Sequence, residues 1–247
     1  MEAIVTRNLV KSYGNLTAVD HLNLSVQEGE LFSLLGVNGA GKTTTIKLLS
    51  CLSRPTAGEA YLDGREVTRE TQAVKAVIGV SPQETAVAPN LTVRENLLLM
   101  AGVHGFRREK AEQKTAELLE QFGLDEVKNR RAKVLSGGWQ RRLSIAMALV
   151  SEPRILFLDE PTLGLDVMAR SDLWDFIRSL KGKITIILTT HYLEEAESLS
   201  DRIAIMKSGR LIALGTAEEL MARAGTERFE EAFVKLVKEW RPDAGPV

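Results

Sequence analysis

The sequence predicts an α/β protein built on a parallel sheet, with an antiparallel β region at its amino terminus and a helical subdomain inserted into the core. Three observations carry this. Four apolar runs, Leu31–Leu35, Val77–Val80, Ile155–Leu158 and Ile184–Leu188, are continuous rather than alternating, which suits strands covered on both faces. The first thirty residues alternate instead: Leu22, Leu24 and Val26 fall on one face while His21, Asn23 and Ser25 fall on the other, the period of a half-exposed strand. Residues from about 84 to 150 carry mainly helical patterns.

Taken in chain order, the amino-terminal strands leave His21 facing solvent. Asp63-Gly64, between Ala60-Tyr61-Leu62 and Arg65-Glu66-Val67, is a hairpin signal that extends the antiparallel region. Thr92-Val93-Arg94-Glu95 has the form of a capping box ahead of Leu97 and Leu98, and Ala111, Thr115, Leu118, Leu119 and Phe122 share one helical stripe. Near the carboxyl end Phe229, Ala232, Phe233, Leu236, Val237 and Trp240 recur at helical spacing until Pro242 stops the pattern. That pattern reads as a terminal helix docked on its own domain in preference to a surface kept for a partner. The expected division is a domain over 1–223, with core segments 1–83 and 151–223 and a helical subdomain over 84–150, followed by an extension over 224–247.

The chain has 247 residues, and its 32 Lys and Arg nearly cancel its 33 Asp and Glu, so no basic field recommends nucleic acid as a ligand. The cluster Lys128, Arg130, Arg131 and Lys133 reads as a solvated face. Cys51 is the single cysteine and sits among Leu48, Leu49 and Leu52, as expected of a buried reduced thiol in the cytoplasm. Met1-Glu2-Ala3-Ile4 lacks the start of a signal peptide, and no stretch reaches the roughly 18 apolar residues of a membrane span. If the protein works at a membrane, another chain holds it there.

Each continuous run leads at its carboxyl end into a polar motif, the edge of an α/β sheet at which ligands bind. After Leu31–Leu35 comes Gly36-Val37-Asn38-Gly39-Ala40-Gly41-Lys42-Thr43, followed by Thr44. A glycine-rich turn between a buried strand and a helix aims backbone N–H groups at phosphate oxygens. Lys42 supplies a cation for the β- and γ-phosphates of a nucleotide, and the Thr43 hydroxyl a ligand for Mg²⁺. Asp159 and Glu160 end the run Ile155–Leu158. Adjacent strand residues point to opposite sides, which gives Asp159 the Mg²⁺ shell and Glu160 the attacking water, as general base.

With these motifs the chain resembles, from about residue 4 to residue 223, the nucleotide-binding subunits of ATP-binding-cassette transporters. The resemblance implies a P-loop NTPase (RecA-like) core. The family signature matches Leu135-Ser136-Gly137-Gly138 at the start of a helix whose buried stripe would be Leu143, Ala146, Met147 and Val150. In the family, Ser136, Gly137 and Gly138 would meet the ATP held by the other subunit, as would the loop containing Asp166. Tyr13 matches the aromatic that stacks on adenine. Gln83 matches the glutamine that touches Mg²⁺ and the attacking water and links the core to the helical subdomain, and His191 the switch histidine at the γ-phosphate. Two positions depart from the family pattern: Trp139 stands where Gln is usual, and Val167 where Pro is common. His104 matches nothing.

The resemblance implies a Mg²⁺-dependent ATPase that dimerises with a second cassette, commonly a second copy, around two ATP. It implies a transmembrane permease as partner and a place on the inner face of the cell membrane. The segment from Thr189 to Glu197, with Ser200-Asp201-Arg202-Ile203-Ala204 after it, resembles exporter subunits, although Glu194, Glu195 and Glu197 also fit a simple solvated helix face. A second class stays open, the soluble cassettes of DNA repair or translation. Those proteins generally carry paired cassettes, coiled-coil insertions or zinc motifs, none of which is found here.

Overall fold

The computed structural model describes residues 1–241. The chain opens with two long antiparallel strands, β1 (Glu2–Tyr13) and β2 (Leu16–Gln27), then enters β3 (Leu31–Leu35) and helix α1 (Lys42–Leu49). The hairpin β4 (Ala57–Leu62) and β5 (Arg65–Glu66) follows, then α2 (Thr71–Lys75) and β6 (Ile78–Ser81). Three helices come next, α3 (Val93–Val103), α4 (Arg108–Gln121) and α5 (Gly137–Leu149), before β7 (Ile155–Asp159), α6 (Val167–Leu180), β8 (Thr185–Thr190) and α7 (Leu193–Leu199). The described chain ends with β9 (Arg202–Lys207), β10 (Arg210–Gly215), α8 (Ala217–Ala224) and α9 (Phe229–Glu239).

Two sheets result among the described residues. One is antiparallel, in the order β2-β1-β4-β5, and the other has six strands in the order β10-β9-β3-β8-β7-β6. All of the second sheet is parallel except β10, which pairs antiparallel with β9. The continuous apolar runs therefore form neighbouring buried strands, as predicted. Their alternate residues enter different cores. Leu156 and Leu158 of β7 pack with the helices α3 to α6, while Ile155 and Phe157 pack against the antiparallel sheet and α1.

Local chemistry explains the boundaries. Asp63 and Gly64 both adopt positive φ, 49° and 75°, the two-residue turn that suits the twist of a hairpin. Thr92 and Glu95 form the reciprocal capping box at α3: the Glu95 N–H donates to Thr92 Oγ1 at 3.2 Å, and the Thr92 N–H donates to Glu95 Oε2 at 2.7 Å. On α4, Ala111, Thr115, Leu118 and Leu119 are buried, with Phe122 just past its end. The helix α9 packs on α7, α8 and β10 and so docks on its own chain. Pro242, the expected stop, lies outside the described residues.

Several expectations need correction. β9 and β10 are strands that the apolar runs did not announce. On α5, burial extends well beyond Leu143, Ala146, Met147 and Val150 to Arg141, Ser144, Ile145, Ala148 and Leu149, because the helix lies between the sheet and the other helices. Cys51 is only half-buried, since Leu52 beside it faces solvent, and its thiol donates to the Val67 carbonyl at 3.4 Å. Among the three acidic residues of α7, Glu195 is fully buried rather than solvated. No described helix is long and apolar enough to cross a membrane.

Candidate active site

The loop after β3 can form only with glycine at two points. A Cβ on Gly36 would lie 2.5 Å from the Met206 carbonyl oxygen. At Gly41, which has φ 102°, it would lie 2.4 Å from the Ala18 carbonyl oxygen. Any larger residue would push the loop off the sheet and close the approach to its amides. Lys42, the first residue of α1, is buried and folds back over the loop. Its Nζ donates to the Gly36 carbonyl at 2.8 Å and to the Val37 carbonyl at 3.4 Å. Burial draws the Lys42 ammonium below the usual lysine range, opposed by the nearby carboxylates of Glu160 and Asp159.

The two carboxylates have different partners. Asp159, the last residue of β7, accepts from the Thr43 hydroxyl at 3.2 Å and from the Thr189 hydroxyl at 2.5 Å. Glu160 lies just past the strand and has φ 47°, so a left-handed turn, and not strand alternation, sends its side chain elsewhere. Its backbone N–H is held by the Thr189 carbonyl and hydroxyl at 3.1 and 3.0 Å. One carboxylate oxygen lies 3.5 Å from Lys42 Nζ, and the other lies 3.1 Å from His191 Nδ1. A carboxylate placed between a cation and an imidazole is poised to exchange partners when an anion or a water enters.

A cleft of about 560 Å³ opens here, lined by Tyr13, Asn38, Gly39, Ala40, Gly41, Lys42, Thr43, Thr44, Gln83, Glu160 and His191. Of the other residues predicted around nucleotide, Gly36 is buried beneath the loop, Val37 points to solvent, and Asp159 stands behind Thr43. Ser136, Gly137, Gly138 and Asp166 do not line this cleft. Ser136 and Gly137 are exposed at the start of α5, and the Ser136 hydroxyl makes no capping bond to its own helix. Asp166 caps α6 by accepting from the Ala169 N–H at 2.9 Å.

Sequence reasoning missed four contributors. Leu16, Ala18 and Leu163 complete the wall of the cleft, but they carry no motif of their own. Arg141 is buried on α5 and donates to the Pro82 carbonyl at 2.7 Å and to the Gln83 carbonyl at 2.5 Å. It therefore fixes the backbone of Gln83. Its place three residues after Gly138, on what reads as the helix's polar side, gave no sign of this.

A phosphate loop at the carboxyl edge of a parallel sheet, facing a carboxylate that a lysine and a histidine share, is the working arrangement of a P-loop ATPase. Comparison with known proteins makes the class particular. A family profile described as "ABC transporter" matches residues 19–163, and the chain belongs to that family. It is 44% identical over 229 residues to the "Daunorubicin resistance ATP-binding protein DrrA3" of Streptomyces coeruleorubidus, covering 92% of this chain and 72% of that one. It is 39% identical to the "Linearmycin resistance ATP-binding protein LnrL" of Bacillus subtilis (strain 168), covering 94% and 75% of the two chains. Among solved structures, "Structure of ATP binding subunit of ABC transporter" superposes with a TM-score of 0.85 at 28% identity, covering 95% and 99%. "Dimeric Structure of MJ0796, a Bacterial ABC Transporter Cassette" superposes with a TM-score of 0.78 at 29% identity, covering 86% and 98%. The chain is an ATP-binding, ATP-hydrolysing subunit of an ABC transporter; the DNA repair and translation alternative is not favoured by these relatives.

Proposed function

We propose that two copies of this chain close around two ATP, that the closed pair drives a separate transmembrane permease, and that hydrolysis resets it. The observation that carries this reading is Glu160 held between Lys42 and His191, at 3.5 and 3.1 Å, on the wall of the cleft. Lys42 leaves Glu160 for the phosphates of ATP, which frees the carboxylate to take the proton of the attacking water. His191 then turns to the γ-phosphate, and Tyr13, half exposed at the cleft mouth, stacks on the base.

The Thr43 hydroxyl and the Asp159 carboxylate, 3.2 Å apart, offer the hard oxygen donors that Mg²⁺ prefers. In this reading they would hold Mg²⁺ together with Gln83, and a bound ion would supply positive charge against the phosphates. Ser136, Gly137, Gly138 and Asp166 serve the ATP of the opposite copy. Two features support that assignment: the uncommitted helix start at Ser136, and the exposed apolar pair Val167 and Met168 beside Asp166, 75% and 72% accessible.

Residues 1–223 act as the cassette, with 84–150 as its helical subdomain and 224–247 as an extension. The named relatives, two of them resistance ATP-binding proteins, support export of a hydrophobic or drug-like compound from a position on the inner face of the cell membrane. Nucleic acid has no part in this scheme.

Glu160→Gln tests it. The variant keeps the phosphate loop and Asp159, so ATP affinity is retained while turnover falls by about a hundredfold or more. The expected product is an ATP-dependent dimer on size-exclusion chromatography. Near-normal turnover removes Glu160 as the base.

A further inference from the structure

Behind the contact between His191 and Glu160 lies a buried carboxyl that the scheme above does not use. Glu195, on the first turn of α7, is fully buried, and its Oε1 accepts the Trp174 indole N–H of α6 at 3.1 Å. Thr162 and Thr190 are neighbours of the same carboxyl. Thr162 is two residues after Glu160, and Thr190 immediately precedes His191. Thr190 Oγ1 accepts from the Tyr192 N–H at 2.9 Å, which leaves its own proton for the carboxyl.

The other half of the group is not settled. Glu195 Oε2, Thr162 Oγ1 and Arg170 Nε are all buried and close no hydrogen bond in this conformation. The charges that face Glu195 are Arg170 on α6, whose guanidinium lies 4.9 Å from the Tyr192 ring, and Arg141 on α5. Burial outweighs them and pushes the Glu195 carboxyl above the ordinary glutamate range. Buried polar atoms without partners are costly, so a carboxyl kept here, with two facing threonines, has a use that an apolar side chain would not provide.

We propose that Glu195 is a positioning residue whose open Oε2 takes the Thr162 hydroxyl when the site closes on ATP, tying the loop after Glu160 to the segment carrying His191, which Glu195 adjoins at Thr190, so that both groups reaching ATP then move together. The proposal rests on the roles given above to Glu160 and His191. It has a chemical corollary. A group of the same shape that accepts from Trp174 and can reach both hydroxyls is sufficient, so the amide of glutamine should replace the carboxyl, whereas alanine strands the Trp174 N–H and removes the group that both threonines face.

The test uses the full chain with Mg²⁺ and ATP at saturating protein concentration, and compares Glu195→Ala, Glu195→Gln, Thr162→Val and the Glu195→Ala/Thr162→Val pair. Glu195→Ala should lower kcat by about tenfold or more with KM for ATP within about twofold, because the phosphate loop is untouched. Glu195→Gln should recover kcat to within about threefold of wild type. The double variant should be little worse than either single one, since both break the same link. If Glu195→Ala does not fold, Thr162→Val and Glu195→Gln/Thr162→Val carry the same comparison. Overturning results are a Glu195→Ala kcat within twofold of wild type, an effect confined to KM, or losses that simply multiply. Glu160→Gln, run in parallel, separates the two readings. Normal turnover there overturns the base assignment, whereas a dead Glu160→Gln beside a fully active Glu195→Ala overturns only the positioning role.

Discussion

A single residue, Glu160, shows how the site is tensioned. A non-glycine residue at φ 47° costs about 1–2 kcal/mol, and here that conformation sets the carboxylate between Lys42 and His191 instead of along the strand. Lys42 is the other half of the device. Lys42→Ala removes the nearest cation from an incoming triphosphate and leaves the buried Glu160 without its partner. It should fail at binding, seen as a loss of affinity for a fluorescent ATP analogue; unchanged affinity would remove the phosphate-loop assignment. Trp139 is a departure of a different kind. Its ring packs at the edge of the large core with the Arg142 guanidinium 5.3 Å away, and it does not line the cleft. Trp139→Gln should therefore keep ATPase activity within about tenfold of wild type, roughly 1.4 kcal/mol in the barrier. A larger loss would give Trp139 a part in catalysis or in organising the pair. At this scale the motif residues were legible because phosphate chemistry fixes their spacing. Arg141 and Glu195 were not, since whether a charged side chain is buried depends on helices distant in sequence.

Among the elements, those with a local cause were readable and those formed by long-range pairing were not. Thr92 and Glu95 announced α3 because the capping box is complete within four residues. Thr92→Ala should cost about 1 kcal/mol, a fall in melting temperature of about 2–4 °C for a domain of this size. An unchanged melt would mean that packing on α4 and α5 alone fixes that end of α3. The strands β9 and β10 were missed although their turn is as clear as the one at Asp63: Ser208 and Gly209 both take positive φ, 51° and 80°, and Lys207 pairs with Arg210 across them. What hid them is that β9 joins the sheet beside β3, about 170 residues earlier in the chain. For α5, periodicity suggested one stripe, but a helix enclosed between β6 and β7 on one side and α3 and α6 on the other is buried on most of its faces.

On the scale of the whole molecule, the central claim is that one copy is half a machine. The cleft holds Lys42, Glu160 and His191, while Ser136 and Asp166 stand on a different part of the surface, next to exposed Val167 and Met168. Neither half is a complete enclosure for ATP, and the apolar pair has no cover within the described chain. The order of the motifs made the two halves visible in the sequence, but only folding separates them in space. ATPase specific activity measured against protein concentration tests this most directly. The account predicts activity per mole that is low for the dilute monomer, rises as two copies associate around ATP and then saturates. Activity independent of concentration, from a chain demonstrated to remain monomeric with ATP bound, would contradict it.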